Sequence, residues 1–280
     1  NPNPCYQPPK AGVSPPRLIK ATAKAARENR PSLNTLWRSG YRYHGRTKKL
    51  LIEKRSINLH RKRAIDEICV YLANHFNIVT GKVFGSLAQI SDACGLTTYN
   101  AKGIPSYSRA SRAITEHLEA IGAVKVERVW DDTRGSYIPN QIEVTELFFS
   151  LIGYDYGKVQ SAQNQQLAWI NKGLMEKGEE PISVTEAKQR AKDQHVKAAL
   201  AARAKGVERK KLEKRANKLA EMDEQEAKYQ IQKDLVKIYT KEELAAMGHV
   251  EFSRLVNERY HTMKKIAASS FPSKPPPESG

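Results

Sequence analysis

The amino-acid sequence predicts an α+β fold that is mainly α, and three observations carry that expectation. Between Ala64 and Thr145 the order is helix, short strand, helix, long turn, helix and β-hairpin, which is the succession of a winged helix-turn-helix core. A basic N-terminal arm precedes it, with 16 Lys and Arg against 2 acidic residues in the first 63. A charged, alanine-rich helical C-terminal region follows. Composition shifts set the boundaries: residues 1–60 for the Pro-rich basic arm, 61–150 for the winged-helix domain, 151–268 for the helical region and 269–280 for a disordered tail.

Six prolines among the first 16 residues forbid helix and strand, so a mobile leader or a polyproline-like arm is expected there. Arg17 to Arg30 reads as a basic helix stopped by Pro31. Next, Trp37, Tyr41 and Tyr43 interleave with Arg38, Arg42, His44, Arg46, Lys48 and Lys49. Cations meet phosphates and rings stack or wedge, so this pattern suits a nucleic-acid surface. The same rings could equally dock the arm onto the core while the cations stay in water, and the sequence leaves both readings open.

Arg61, Lys62 and Arg63 lead into the first strong helix. There Ile65, Ile68, Cys69 and Leu72 recur at the spacing of one buried face. The helix is expected to end near Asn77, with Val83-Phe84 as a short strand. Leu87, Ile90 and Ala93-Cys94 form a second, short helix closed by Gly95 in the left-handed position after a helix end. Thr97 to Pro105 reads as a polar loop, longer than the ~3–4 residues of a compact helix-turn-helix.

The third helix starts at Ser106 or Ser108, either of which can cap it. Ala110, Ala113, Ile114, His117, Leu118 and Ile121 form its buried stripe. Tyr107, Ser108, Arg109, Ser111, Arg112 and Thr115 lie off that stripe, in the half a recognition helix presents to base edges. An amphipathic helix with solvated arginines is the competing reading. Val124–Trp130, the turn Asp131–Gly135, Tyr137-Ile138 and Ile142–Val144 then form a hairpin wing with Arg134 at its tip. Backbone affinity is assigned to Arg42, Arg46, Lys48, Lys49, Arg61, Lys62 and Arg63.

Phe148 to Ile170 is expected to be a linker helix packed on the winged domain. Farther on, Ser183–Glu186 and Thr240–Glu243 are capping boxes. Between them, the basic run Arg203–Arg215, with Arg209, Lys210 and Lys211, offers a second DNA contact or a protein-docking surface.

Globally, 47 basic residues against 30 acidic give a net charge of +17, which attracts polyanions. No apolar run approaches the ~18 residues of a membrane span. Three scattered cysteines fit a reducing cytoplasm. Thr80-Gly-Lys-Val lacks the frame of a phosphate loop, and no two histidines stand at H-x-H or H-x-x-x-H spacing. Neither cofactor, metal, small-molecule substrate nor catalysis is therefore expected.

Several motifs in order carry a resemblance: Arg61-Lys-Arg-Ala-Ile-Asp66, Asp92-Ala-Cys-Gly-Leu96, Ser108-Arg-Ala-Ser-Arg-Ala113, Leu118-Glu-Ala-Ile-Gly122, Gly135-Ser-Tyr-Ile-Pro139 and Trp169-Ile-Asn-Lys. Together with the Asn1-Pro-Asn-Pro opening, they resemble the RepA replication initiators of IncFII-type plasmids over most of residues 1–240. The resemblance implies a bacterial initiator that binds double-stranded plasmid origin DNA and helps bring in host factors of the DnaA and DnaB type. A winged-helix transcriptional regulator and a nicking replication enzyme are the alternatives. A regulatory domain behind the wing would favour the first, and a covalent DNA adduct the second.

Overall fold

The computed structural model describes residues 2–8, 14–39, 42–45, 47–50, 56–83, 85–132, 135–138 and 141–270. Contacts divide the chain into two units, Asn1–Ala199 and Leu200–Gly280. Mostly helical, it carries small antiparallel sheets, and none of the described helices is long and apolar enough to cross a membrane.

The centre of the first unit is α3 (Leu59–His75), opened by Asn58, whose side chain accepts the Arg61 N–H. Its expected stripe of Ile65, Ile68, Cys69 and Leu72 is fully buried, and α3 carries buried residues on further faces, including Val70, Tyr71 and Ala73. The cause is α1 (Arg17–Asn29), which packs Ile19, Thr22 and Ala26 against it. Thr22 donates its hydroxyl to the Ala73 carbonyl at 3.1 Å, so a polar residue sits in this seam with its donor satisfied. A 3₁₀ turn at Pro31–Leu33 and the short α2 (Leu36–Ser39) follow, and Asp66 accepts both the backbone N–H and the hydroxyl of Ser32, at 2.7 and 2.9 Å. Burial pushes the Asp66 carboxyl above its ordinary value, against the pull of these bonds.

The Pro-rich leader is not free where it is described. Tyr6 is buried, meets Tyr71 edge-on and shares a 2.8 Å hydrogen bond with His75 Nε2. Prolines exclude regular structure, but one aromatic anchor suffices to seat the segment.

After α3 come β1 (Lys82–Val83), α4 (Leu87–Ala93), and β2 (Thr98–Tyr99) paired with β3 (Pro105–Ser106). The expected Phe84 half of the strand lies outside the described residues. Ser86 and Gln89 complete a capping box on α4, and Gly95 adopts φ 64° at its end. The polar loop at 97–105 is thus a hairpin. Asn100 makes its tip by accepting the N–H groups of Lys102 and Ile104 at 2.9 Å each, with Gly103 at φ 71°.

The third helix begins at Ser108, because pairing with Thr98 keeps Ser106 in a strand. It is an α-helical turn, α5 (Ser108–Arg112), that widens into a π-helical turn over Ala113–Leu118, where Glu119 N–H reaches the Ile114 carbonyl at 2.8 Å. All six stripe residues, Ala110 to Ile121, are buried as expected.

β4 (Val124–Glu127), β5 (Trp130–Asp131), β6 (Ser136–Tyr137) and β7 (Gln141–Val144) follow. β1, β7 and β4 make one antiparallel sheet in that order, while β5 and β6 pair separately beyond it. Short α6 (Glu146–Leu151) adds Phe148, Phe149 and Leu151 to the same core, and Ile152 follows them in. Asn29 and Asn34 then cap the end of α6 by donating to the Ile152 and Leu151 carbonyls at 2.8 and 3.0 Å.

α7 (Tyr156–Glu176) buries only Val159, and Trp169 is exposed. The first part of α8 (Val184–Ala220) meets the sheet through charges: Lys188 with Glu143 at 2.6 Å and Lys192 with Glu127 at 3.6 Å. Lys82 is buried against Glu127 and Gln141, at 3.3 and 2.7 Å.

In the second unit the end of α8, α9 (Glu224–Ile238) and α10 (Lys241–Ser270) bury Leu219, Ile231, Leu235, Val256 and Met263 together. Thr240 and Glu243 form the expected capping box, and the helix is interrupted at Gly248, φ 67°. The tail from Phe271 onward lies outside the described residues.

Candidate nucleic-acid interface

The six off-stripe residues of the third helix fall on two sides of it. Ser108, Arg109 and Arg112 line a cleft of about 180 Å³ together with Asn58, His60 and Arg61 of α3. Tyr107, Ser111 and Thr115 instead line a groove of about 380 Å³, closed by Leu87 of α4 and by Val126 and Tyr137. The Thr115 hydroxyl is occupied, donating to the Ser111 carbonyl at 2.8 Å. One side of the helix therefore meets cations and the other meets apolar surface.

Two expected groups converge in the cleft. Arg61, placed with the backbone-binding arm, reaches Glu116 of the π-helical turn at 3.5 Å and His117 Nε2 at 3.3 Å. Arg112 reaches the other oxygen of Glu116 at 3.9 Å. Lys62 is half-buried, and Arg63 is turned away to donate to the Pro2 carbonyl and the Asn3 side chain at 3.0 and 2.5 Å.

Arg42 is a correction. It is 6% exposed, its guanidinium lies 5.5 Å from the Trp37 ring centroid, and it donates to the Trp37 carbonyl. Trp37 is itself buried, edge-on to His117. At this point the arm docks, as the second reading of the aromatics holds, and Arg42 is removed from solvent and from any phosphate. Planar Arg stacks readily on indole, which is how a cation enters this seam. Lys48 and Lys49 remain exposed on a turn in which the Tyr43 N–H bonds the Ala120 carbonyl at 2.9 Å and Lys48 takes φ 55°. Arg46 and Arg134, the latter expected at the tip of a wing, lie outside the described residues.

In the β5–β6 hairpin, Trp130 and Tyr137 pack edge to face at 4.8 Å, both about half exposed. In the second unit Arg209 pairs with Glu213 at 2.7 Å along one helix face, while Lys210 and Lys211 are exposed.

Sequence reasoning did not single out His60 and Asn58, nor the exposed Tyr99 and Ile104 of the hairpin. The Asn100…Gly103 spacing was the available signal for that hairpin. Nothing local in the sequence points from Arg61 to Arg112.

The described residues thus hold an arginine-lined cleft between α3 and α5 and an exposed basic turn at Lys48 and Lys49. The chain belongs to the IncFII RepA protein family, whose profile spans residues 1–268; it is a family of replication initiators and not of enzymes. It is 36% identical over 267 residues to the "probable replication-associated protein repA1" of Buchnera aphidicola subsp. Cinara cedri, covering 95% of each chain. Identity is also 36% over 275 residues to the protein of that name from subsp. Acyrthosiphon pisum, covering 97% of this chain and 96% of the relative. A "replication initiation protein" of Escherichia coli is 30% identical over 126 residues, 45% of this chain and 44% of that one. No solved structure matches.

Proposed function

We propose that this initiator binds double-stranded origin DNA sequence-specifically through residues 61–150 acting as a winged helix. One observation carries the reading. The order α3, β1, α4, β2–β3, third helix, β4, β5–β6, β7, with β7 between β1 and β4 in the sheet, supports a winged-helix reading with a hairpin inserted before the third helix. The third helix then enters the major groove with Tyr107, Ser108, Arg109, Ser111, Arg112 and Thr115 as its contact set. The β5–β6 hairpin with Arg134 lies on the flanking backbone or minor groove. Lys48 and Lys49 add salt-dependent affinity, together with Arg46.

Lys210 and Lys211 extend the contact or dock a protein, and DnaA- and DnaB-type host factors are the partners the reading assigns to the assembled complex. The domain limits of 1–60, 61–150 and 151–268 stand as part of this proposal.

Footprinting on origin DNA tests it, comparing the full chain with a chain ending at Ala199, where the first unit closes. A cut after Thr145 would remove Phe148 and Phe149 from the core and so would not report on binding. Protection confined to one origin sequence is expected from both chains, with flanking protection lost from the shorter one if the C-terminal helices touch DNA. Equal affinity for origin and random duplex would sink the reading.

A further inference from the structure

We propose that the cleft between α3 and α5 seats one backbone phosphate of the bound duplex, with Arg61 and Arg112 as its cations and Glu116 keeping its place in the free protein. The proposal rests on the DNA-binding reading and divides the contact set of the third helix between backbone and bases. The cleft is lined by Arg61, Arg109 and Arg112, with Asn58, His60 and Ser108 adding polar groups. Neither α3 nor α5 carries an acidic residue in its first turn. The acidic partner given to both Arg61 and Arg112 is Glu116, one oxygen to each.

Those separations, 3.5 and 3.9 Å, exceed the about 2.7–2.9 Å of a close guanidinium–carboxylate bond. One carboxylate straddled loosely by two guanidinium groups leaves charge to spare, and a phosphate offers two oxygens that both forks can reach bidentately. Arg61 has a second contact through the same nitrogen. Its Nη1 lies 3.3 Å from His117 Nε2, and His117 is buried edge-on to Trp37. Less side-chain freedom therefore remains to be lost on binding. Glu116, with 43% of its side chain exposed, is free to swing out as the phosphate enters.

The test uses the full chain and origin duplexes in which single phosphates are replaced by neutral methylphosphonates. One position is expected to weaken the natural protein about tenfold. Arg112→Ala, at a side chain 62% exposed and so tolerant of replacement, is expected to weaken the natural duplex by a similar factor. It should then be indifferent to that methylphosphonate, with its salt slope reduced by about one. Arg61→Ala should behave alike, and Glu116→Gln should tighten every duplex.

Losses that multiply independently at every position would overturn the phosphate seat while origin discrimination by the natural protein leaves the DNA reading standing. A natural protein that binds no duplex overturns both. Millimolar inorganic phosphate that shifts the Arg61 and Arg112 side-chain NMR signals, without any methylphosphonate effect, assigns the cleft to a free anion and also overturns the proposal.

Discussion

Arg128 grips Glu119 with both terminal nitrogens, at 2.7 and 2.6 Å, and so ties the end of the third helix to the chain between β4 and the β5–β6 hairpin. The pair is largely withdrawn from water, with 14% and 8% of the two side chains exposed. The hydrogen bonds it donates to Glu119 hold the Arg128 guanidinium above its ordinary range despite burial. Removing one partner leaves the other buried and uncompensated. Glu119→Ala is therefore expected to cost about 3–5 kcal/mol in urea unfolding. The double variant Glu119→Ala/Arg128→Met should recover part of that loss, and additive losses would contradict the coupling.

Gly45 sits against this same carboxylate, and a Cβ there would overlap it. Because Arg128 pins Glu119, the side chain cannot yield. Gly45→Ala is expected to destabilise by about 1–3 kcal/mol through overpacking, and much less in a Glu119→Ala background. Thermal unfolding of the four chains measures the difference.

Burial holds His75 below the ordinary imidazole value of about 6.5. The folded chain favours the neutral ring, which shares a hydrogen bond with Tyr6. With the folded value the lower one, the unfolded chain binds more protons just below pH 6.5. The contribution is then fully present above that pH and lost as pH falls through the folded value. Unfolding experiments across pH 7 to 5 should show this slope, and His75→Phe should flatten it. An NMR titration placing His75 at or above 6.5 would contradict the account.

The ion pairs between α8 and the sheet reach lysines only 38–39% exposed, each pair worth about 1 kcal/mol and screened by salt. Raising NaCl to about 1 M is expected to speed hydrogen exchange over residues 184–199 while α3 stays protected. Equal protection at both ionic strengths would point to packing as the anchor instead.

On DNA, Arg109→Ala is expected to cost about 1–3 kcal/mol and to relax specificity at one base pair. Lys48→Ala with Lys49→Ala should weaken all sequences alike and flatten the salt dependence. Binding titrations at several salt concentrations separate the two, and identical profiles would refute the division.

Much of the succession from Ile65 to Val144 was legible because helical and strand periods write themselves into apolar spacing, as in the stripe from Ala110 to Ile121. The loop expected at 97–105 holds the β2–β3 pair, however, and the strand expected over Val124–Trp130 divides into β4 and β5. What escaped depends on through-space partners. Arg42 reads as a surface cation until the Trp37 ring is seen beneath it. Tyr6 reads as part of a leader until Tyr71 and His75 receive it. The π-helical turn leaves no spacing signature, since its buried positions also fit an α-helix. Arg61 and Arg112 are 51 positions apart, so neither composition nor periodicity could join them.

α1 is fixed to α3 by the Thr22 hydroxyl and to the end of α6 by Asn29, while Arg17, Lys20 and Lys24 stay exposed along it. Cations mounted this way need no ordering step when a polyanion arrives. Calorimetry of binding should accordingly show a small negative heat-capacity change that reflects dehydration of the contact alone, without the large one of a tail that folds on its target.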